Sequence, residues 1–261
     1  MNSPTHRATN EMFFQLVALL LSVIIIHTIY VTVVRPNADS TIRRHAEMAA
    51  AGEEYVVPRS FFIVVKDIEQ ESCFILMFWA ISLMGYKAVL TNRERNLLHL
   101  DLLPINLGTS ILPEDAREYS RPIQALPESQ HGYLLPRALL TALHRFRSTR
   151  NIQDVSSTIK GICESESERL DSELSMIRYI AWAIPSIGFL GTVRGIGQAL
   201  GQAHKAVQGD IAGVTQSLGI AFNSTFVALL ISILIMFLMH QLQLTQERLV
   251  LDAEDYCDNR L

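Results

Sequence analysis

The sequence predicts an all-α, polytopic membrane protein with four transmembrane helices and long helices that extend into a cytoplasmic domain. Three observations carry this. Residues 13–34 form a run of 22 residues without a charge, long enough for a hydrocarbon core of about 30 Å. Residues 218–240 form a second, almost pure apolar run. Residues 92–176 are the opposite, a solvated stretch with 10 Lys/Arg and 12 Asp/Glu.

In chain order, residues 1–12 form a short cytoplasmic N-terminus. The first span, 13–34, is too long for a signal-peptide core and no small-residue cleavage site follows it closely. Residues 35–72 read as a periplasmic loop, although Phe61 to Val65 is apolar, so a helix can start ahead of the second span. That span covers 73–90, with Lys87 near its end in a position to snorkel toward the headgroups. Residues 91–176 form the cytoplasmic helical domain. Its first half holds five of the nine prolines, Pro104, Pro113, Pro122, Pro127 and Pro136, and cannot be one continuous helix. Pro136 opens a helix to about Ser148. Asn151, with Asp154 three residues on, resembles a cap. Apolar residues then recur at Val155, Ile159, Ile162, Leu170, Leu174 and Ile177, at helical spacing. One helix is expected from there through the third span, 177–200, with a break near Gly161 as the alternative. Residues 201–217 form a periplasmic loop and 218–240 the fourth span. Residues 241–261 form a cytoplasmic tail, first helical and then frayed.

Arg93, Arg95, Arg169 and Arg178 flank the 92–176 segment, whereas the loop between spans three and four carries only Lys205. The positive-inside rule therefore places 92–176 and both termini in the cytoplasm, against the pull of the basic residues in 35–72.

The net charge of −4 and the absence of a basic run argue against nucleic acid as a partner. Cys73, Cys163 and Cys257 are isolated, so neither a zinc site nor a disulfide framework is indicated. No P-loop, HExxH or GxSxG motif is present. A near-match to GxGxxG at Gly195 ends on Leu200, and the sequon at Asn223 lies in an apolar run. No catalytic, cofactor or metal site is expected.

None of the four spans, within these bounds, contains Asp or Glu. A membrane carboxylate is the usual carrier in proton pumps and motors. A proton path here draws its titrating group from a partner, unless His27 serves; a lone histidine in a span is more commonly just packed. The last two spans carry matched polar strips. In span three, Pro185, Gly188, Thr192 and Gly195 lie within about 60° of one direction, with Gly191 close by. In span four, Ala221, Thr225, Ala228 and Ser232 form a similar strip. Close helix packing explains small residues of this kind; a stripe facing a shared pore or a partner helix explains the threonines as well. Pro185 frees a carbonyl near residue 181 for a kink or a water site. Arg194 reaches the outer headgroups, or neutralises a partner's carboxylate, or repels cations.

The stretches IPSIGFLGTVRGIGQAL (184–200) and GIAFNSTFVALLISI (219–233) resemble the MotA/TolQ/ExbB proton-channel family. Pro185, Leu190, Gly191, Thr192, Val193, Gly195 and Ile196 match one pore helix. Ala221, Phe222 and Thr225 match the next, and Gly209-Asp210 the loop between. The resemblance implies a homopentamer in the bacterial inner membrane around a dimer of a single-span MotB/TolR/ExbD-type partner. That partner supplies a membrane aspartate, and proton flow is passed as rotation to a periplasmic client. The resemblance also assigns Thr192 and Thr225 to the ion pathway, with Pro185, Gly191, Arg194, Gly195, Ala221, Asn223, Ser224, Ala228 and Ser232 supporting the pore. The sequence departs from TolQ and ExbB at Ile220, where they carry glutamate, at Ala228, usually glycine, and at Arg194. The extra first span is shared with flagellar stators. A flagellar-type stator, with Arg93, Glu94 and Arg95 facing a rotor, and a non-conducting scaffold are the alternatives.

Overall fold

The computed structural model describes residues 4–50, 60–100, 102–103, 112 and 114–260, and among these it holds helices and no strand. The helices are α1 (Pro4–Ile29), continued by a π-helical turn (Tyr30–Val34) into α2 (Arg35–Ala50), then α3 (Phe61–Val65) and α4 (Ile68–Leu97). They are followed by α5 (Ala116–Gln124), α6 (Leu134–Thr149), α7 (Ile152–Glu173), α8 (Ser175–Gly201), α9 (Ala203–Val207) and α10 (Ala212–Arg260). Four helical stretches are long and apolar enough to cross a membrane: Glu11–Arg44, Ile68–Leu97, Ile152–Gly201 and Ala212–Arg260. This is a multi-pass, all-α membrane protein. The chain divides into two units, one of residues 1–84 with 176–238, the other of 85–175 with 239–261.

In the first unit, α1 buries one narrow face. Ala18, Ser22, Ile26, Tyr30, Val34 and Ala38 are buried at every fourth position, while Phe13, Leu16, Leu20 and Ile24 point outward. A four-residue stripe drifts by ~40° per step in an α-helix. The π turn, with its wider i→i+5 winding, takes that drift back and keeps Tyr30, Val34 and Ala38 on the inner face. Trp79 of α4 donates its ring N–H to the Gln15 carbonyl of α1 at 3.0 Å, and the rings of Tyr30 and Phe74 pack at 6.4 Å.

Helices α8 and α10 meet along two matched seams. Ile177, Ala181, Ile184, Gly188, Gly191 and Gly195 are buried on α8. Ser217, Ala221, Ser224, Ala228, Ile231 and Ile235 are buried on α10. Both seams step by four and three alternately, the spacing that keeps a contact line facing its partner in left-handed packing. Small residues at the centre of each seam bring the backbones close.

The second unit packs α5, α6 and α7 with the ends of α4 and α10 around Leu103, Ile123, Leu139, Leu143, Val155, Ile159 and Cys163. Arg150, in the left-handed conformation at φ 53°, turns the chain between α6 and α7. Asn151 then caps α7, its Oδ1 accepting from the Gln153 amide at 2.9 Å. The helix runs through Gly161 unbroken, and Leu174 alone interrupts the path into α8.

Several expectations change. Residues 241–260 do not fray; Val250, Ala253 and Cys257 recur at helical spacing and are buried in this core. Part of the expected loop, 35–50, is helical. Lys87 does not snorkel: it is buried and donates to Glu173 at 2.8 Å. Of the proline-rich stretch, Pro104 and Pro113 lie outside the described residues. Helix α4 begins at Ile68, five residues ahead of Cys73, and Glu69 and Glu71 in its first turn find ion-pair partners.

Candidate functional site

Helices α8 and α10 bring the two threonines together. The hydroxyls of Thr192 and Thr225 are hydrogen-bonded to each other, and both residues are half-buried. Thr192 Oγ1 also reaches the Ala221 carbonyl at 3.1 Å, and Thr225 Oγ1 donates to the Gly188 carbonyl at 3.2 Å. Two hydroxyl hydrogens serve these three contacts, so when Thr225 donates to Gly188, Thr192 donates either to Thr225 or to Ala221. Ser224, buried beside Thr225, bonds back to Ile220 and Ala221 at 2.9 and 3.0 Å.

The glycines make this approach possible. A Cβ at Gly195 would lie 2.7 Å from both the Ala221 amide and the Ser217 carbonyl. A Cβ at Gly188 would collide with Ala228, and one at Gly191 with Ser224. The two polar strips thus face each other inside one chain, and helix packing accounts for their small residues. Pro185 lies in α8 without bonding the Ala181 carbonyl, because it has no N–H. Ser232 Oγ donates to that carbonyl at 3.2 Å, so the freed acceptor is satisfied by a side chain. Asn223 is half-buried and takes no part in these bonds.

Arg194 finds its counter-charge within its own chain. Its guanidinium lies 2.7 Å from Glu69 Oε2 and 3.9 Å from Asp67 Oδ1. Glu69 also packs against α8, its Cγ being 3.1 Å from where a Gly191 Cβ would stand. Two residues further along α4, Glu71 is held between His27 Nδ1 at 2.7 Å and Arg35 Nη2 at 2.6 Å. Eight residues of regular α-helix would set Arg35 ~80° off the His27 face; the intervening π turn removes most of that offset. Burial raises the pKa of Asp67, opposed by Lys66 and Arg194 and reinforced by Glu69. Among the described residues no group of three His, Cys, Asp or Glu side chains is placed to hold a metal ion.

The sequence profile of the MotA/TolQ/ExbB proton channel family matches residues 132–255. This segment is similar to that family. No curated protein and no solved structure matches it. The proton-channel segment runs from just ahead of α6 through most of α10 and so contains Thr192, Thr225, Arg194 and the glycine seam. The family is a proton channel family and not one of enzymes. His27, Arg35, Asp67, Glu69 and Glu71 lie outside the matched segment. The three acids do not appear among the sequence candidates, because the apolar count for the second span starts at Cys73. The available signal was the acidic first turn directly after the apolar Phe61–Val65, the place where carboxylates suit a helix N-terminus.

Proposed function

We propose that this chain is the proton-conducting subunit of an ion-driven rotary motor or energiser complex in the bacterial inner membrane. It assembles as a homopentamer around a single-span MotB/TolR/ExbD-type partner. The partner's membrane aspartate carries the proton, Thr192 and Thr225 line the path, and the motion is passed to a periplasmic client. Both termini and residues 91–176 lie in the cytoplasm.

The observation that carries this reading is the Thr192–Thr225 hydroxyl pair, half-buried at the seam of two apolar helices in the proton-channel segment. Hydroxyls placed there offer a passing proton or its water both donors and acceptors. Glycines at the seam let the helices close on each other without filling the threonine edge.

The test is proton flux in vesicles holding the chain with its co-expressed partner. Thr192→Val and Thr225→Val each abolish flux while the complex still purifies intact. Full flux in both variants refutes the pore role, and background flux from an intact wild-type complex favours a scaffold. A flagellar-type stator gains little support from residues 93–95. Glu94 is buried and accepts from the Leu134 amide at 3.3 Å, and Arg95 lies 3.7 Å from Asp252, so only Arg93 is fully exposed.

A further inference from the structure

The interruption at Leu174 leaves a small polar space in the second unit. Helix α7 ends at Glu173, and the next amide, that of Leu174, turns away from the Leu170 carbonyl to the carbonyls of Asp171 and Ser172. The Leu170 carbonyl thereby loses the donor that an unbroken helix would give it. Beside it lies a cavity of about 30 Å³. Ser167, Leu170 and Leu174 line it from the end of α7, and Gln243, Gln246 and Val250 line it from α10.

Gln246 supplies an independent observation. The residue is 3% exposed, and its Oε1 is buried with no hydrogen-bond partner among the described residues. An amide oxygen held away from water without a donor is costly, and folded chains leave few such groups. The donor does not come from the backbone of α10, which is one helix from Ala212 to Arg260 and spends its amides on its own turns. It has to come from the cavity that Gln246 lines.

The dimensions select the occupant. A buried water needs roughly 10–15 Å³ of such space and about three polar partners. The cavity is large enough, and Gln246 Oε1, the Leu170 carbonyl and the Ser167 hydroxyl are three candidates on its wall. A space this small puts its lining groups within reach of a single molecule. Two hydrogens of a water match the two carbonyl oxygens, and one of its lone pairs matches the serine O–H. Leu174 and Val250, 1 and 7% exposed, close the apolar side. Asp171 and Glu247 also border the cavity but are exposed, so solvent screens their charge.

We propose that this cavity is a binding site for one water molecule, which donates to Gln246 Oε1 and to the Leu170 carbonyl and so ties the end of α7 to α10. The hydrogen bond that the helix gives up at Leu174 is returned through the water to a side chain of another helix. None of its residues belongs to the Thr192–Thr225 seam, and the site stands whether or not the chain conducts protons.

X-ray radiolytic footprinting of the full chain in lipid nanodiscs tests it. Radiolysis converts a bound water to hydroxyl radical where it sits, so a side chain closed to bulk radicals is oxidised when a water lies against it. Leu174 is oxidised in the wild type and severalfold less in Gln246→Leu. Leu143, 2% exposed in the core of the same unit, stays unmodified in both. Equal modification of Leu174 and Leu143, or oxidation of Leu174 that ignores Gln246→Leu, overturns the site. Thermal midpoints give a second readout. Val250→Ile adds one methylene beside the cavity; expelling a bound water strands Gln246 and lowers the midpoint, whereas filling an empty space raises it. In the Gln246→Leu background the same addition is neutral or raises it. A midpoint that Val250→Ile raises or leaves unchanged, or an equal loss in both backgrounds, overturns the proposal. Replacing sodium and potassium by choline leaves both readouts as they are; a dependence on the alkali cation would assign the cavity to an ion and overturn the water.

Discussion

Ser232 of α10 donates its hydroxyl to the Ala181 carbonyl of α8 at 3.2 Å, the acceptor that Pro185 leaves without its helical donor. A buried carbonyl without a partner is costly in an apolar setting, and here a residue 51 positions away supplies the bond. Ser232→Ala is expected to lower stability by about 1 kcal/mol. In a Pro185→Ala background the same change costs a few tenths, because residue 185 then donates to residue 181. Reversible unfolding in mixed micelles of the four proteins of this cycle measures the coupling; equal costs in both backgrounds would show that the two groups are independent.

The glycine seam predicts a contrast between two neighbours. At Gly195 a methyl group meets the backbone of α10 on both sides, at 2.7 Å from Ala221 N and Ser217 O. At Gly197 it meets nothing within 4 Å. Gly195→Ala is expected to cost about 1–3 kcal/mol as an overpacked contact, and to separate Thr192 from Thr225. Gly197→Ala is neutral or slightly stabilising, since alanine suits a helix better. Thermal unfolding of the two variants side by side checks this, and equal losses would mean that the seam is looser than its geometry implies.

In the second unit, Glu166 is 2% exposed and accepts from two arginines, Arg137 at 2.7 Å and Arg169 three residues on. It ties α6 to α7 through a charge that water does not reach. Removing one partner of such a group leaves the others uncompensated. Arg137→Met is therefore expected to cost more than the joint replacement Arg137→Met with Glu166→Leu. The single change is destabilising by roughly 3 kcal/mol. A double-mutant cycle followed by circular dichroism during denaturation gives the sign; additive losses would reduce the pair to ordinary packing.

The seam was legible in the sequence because Pro185, Gly188, Gly191 and Gly195 repeat at helical spacing, as do Ala221, Ala228 and Ser232. Spacing alone could not say whether the two strips face a pore or each other. The sizes answer for the small residues, since a Cβ at Gly188 or Gly191 would collide with Ala228 or Ser224 and the helices close there. The Asn151 cap was equally legible, being a local interaction. The acid cluster was not. Glu69 and Glu71 read as the solvated start of a helix, and their partners are 125, 44 and 36 residues away. Alignment of His27 with Arg35 depends on a π turn, which leaves no trace in apolar periodicity. The buried face of residues 250–257 was there to be read in Val250, Ala253 and Cys257. The acidic residues interleaved with them, Asp252, Glu254 and Asp255, pointed instead to a loose tail.

Asp67 makes stability depend on pH with a sign that can be worked out. Its carboxyl is raised above the ordinary aspartate value, first by burial and then by Glu69, with Lys66 and Arg194 pulling the other way. A carboxyl raised in the folded chain favours the protonated form there more than in the unfolded chain. Folding thus binds a proton at this position. The contribution is fully present below the unfolded pKa and is lost as pH rises through the folded one, so the ionised aspartate weakens the structure at neutral pH. Asp67→Asn keeps the shape and removes the charge. It is expected to stabilise the chain at neutral pH and to have little effect at a pH below the ordinary aspartate range. Unfolding midpoints of wild type and variant, measured across that interval, should diverge as pH increases. Curves that stay parallel, or that diverge toward acid, would mean that Arg194 outweighs burial and that Asp67 remains ionised throughout.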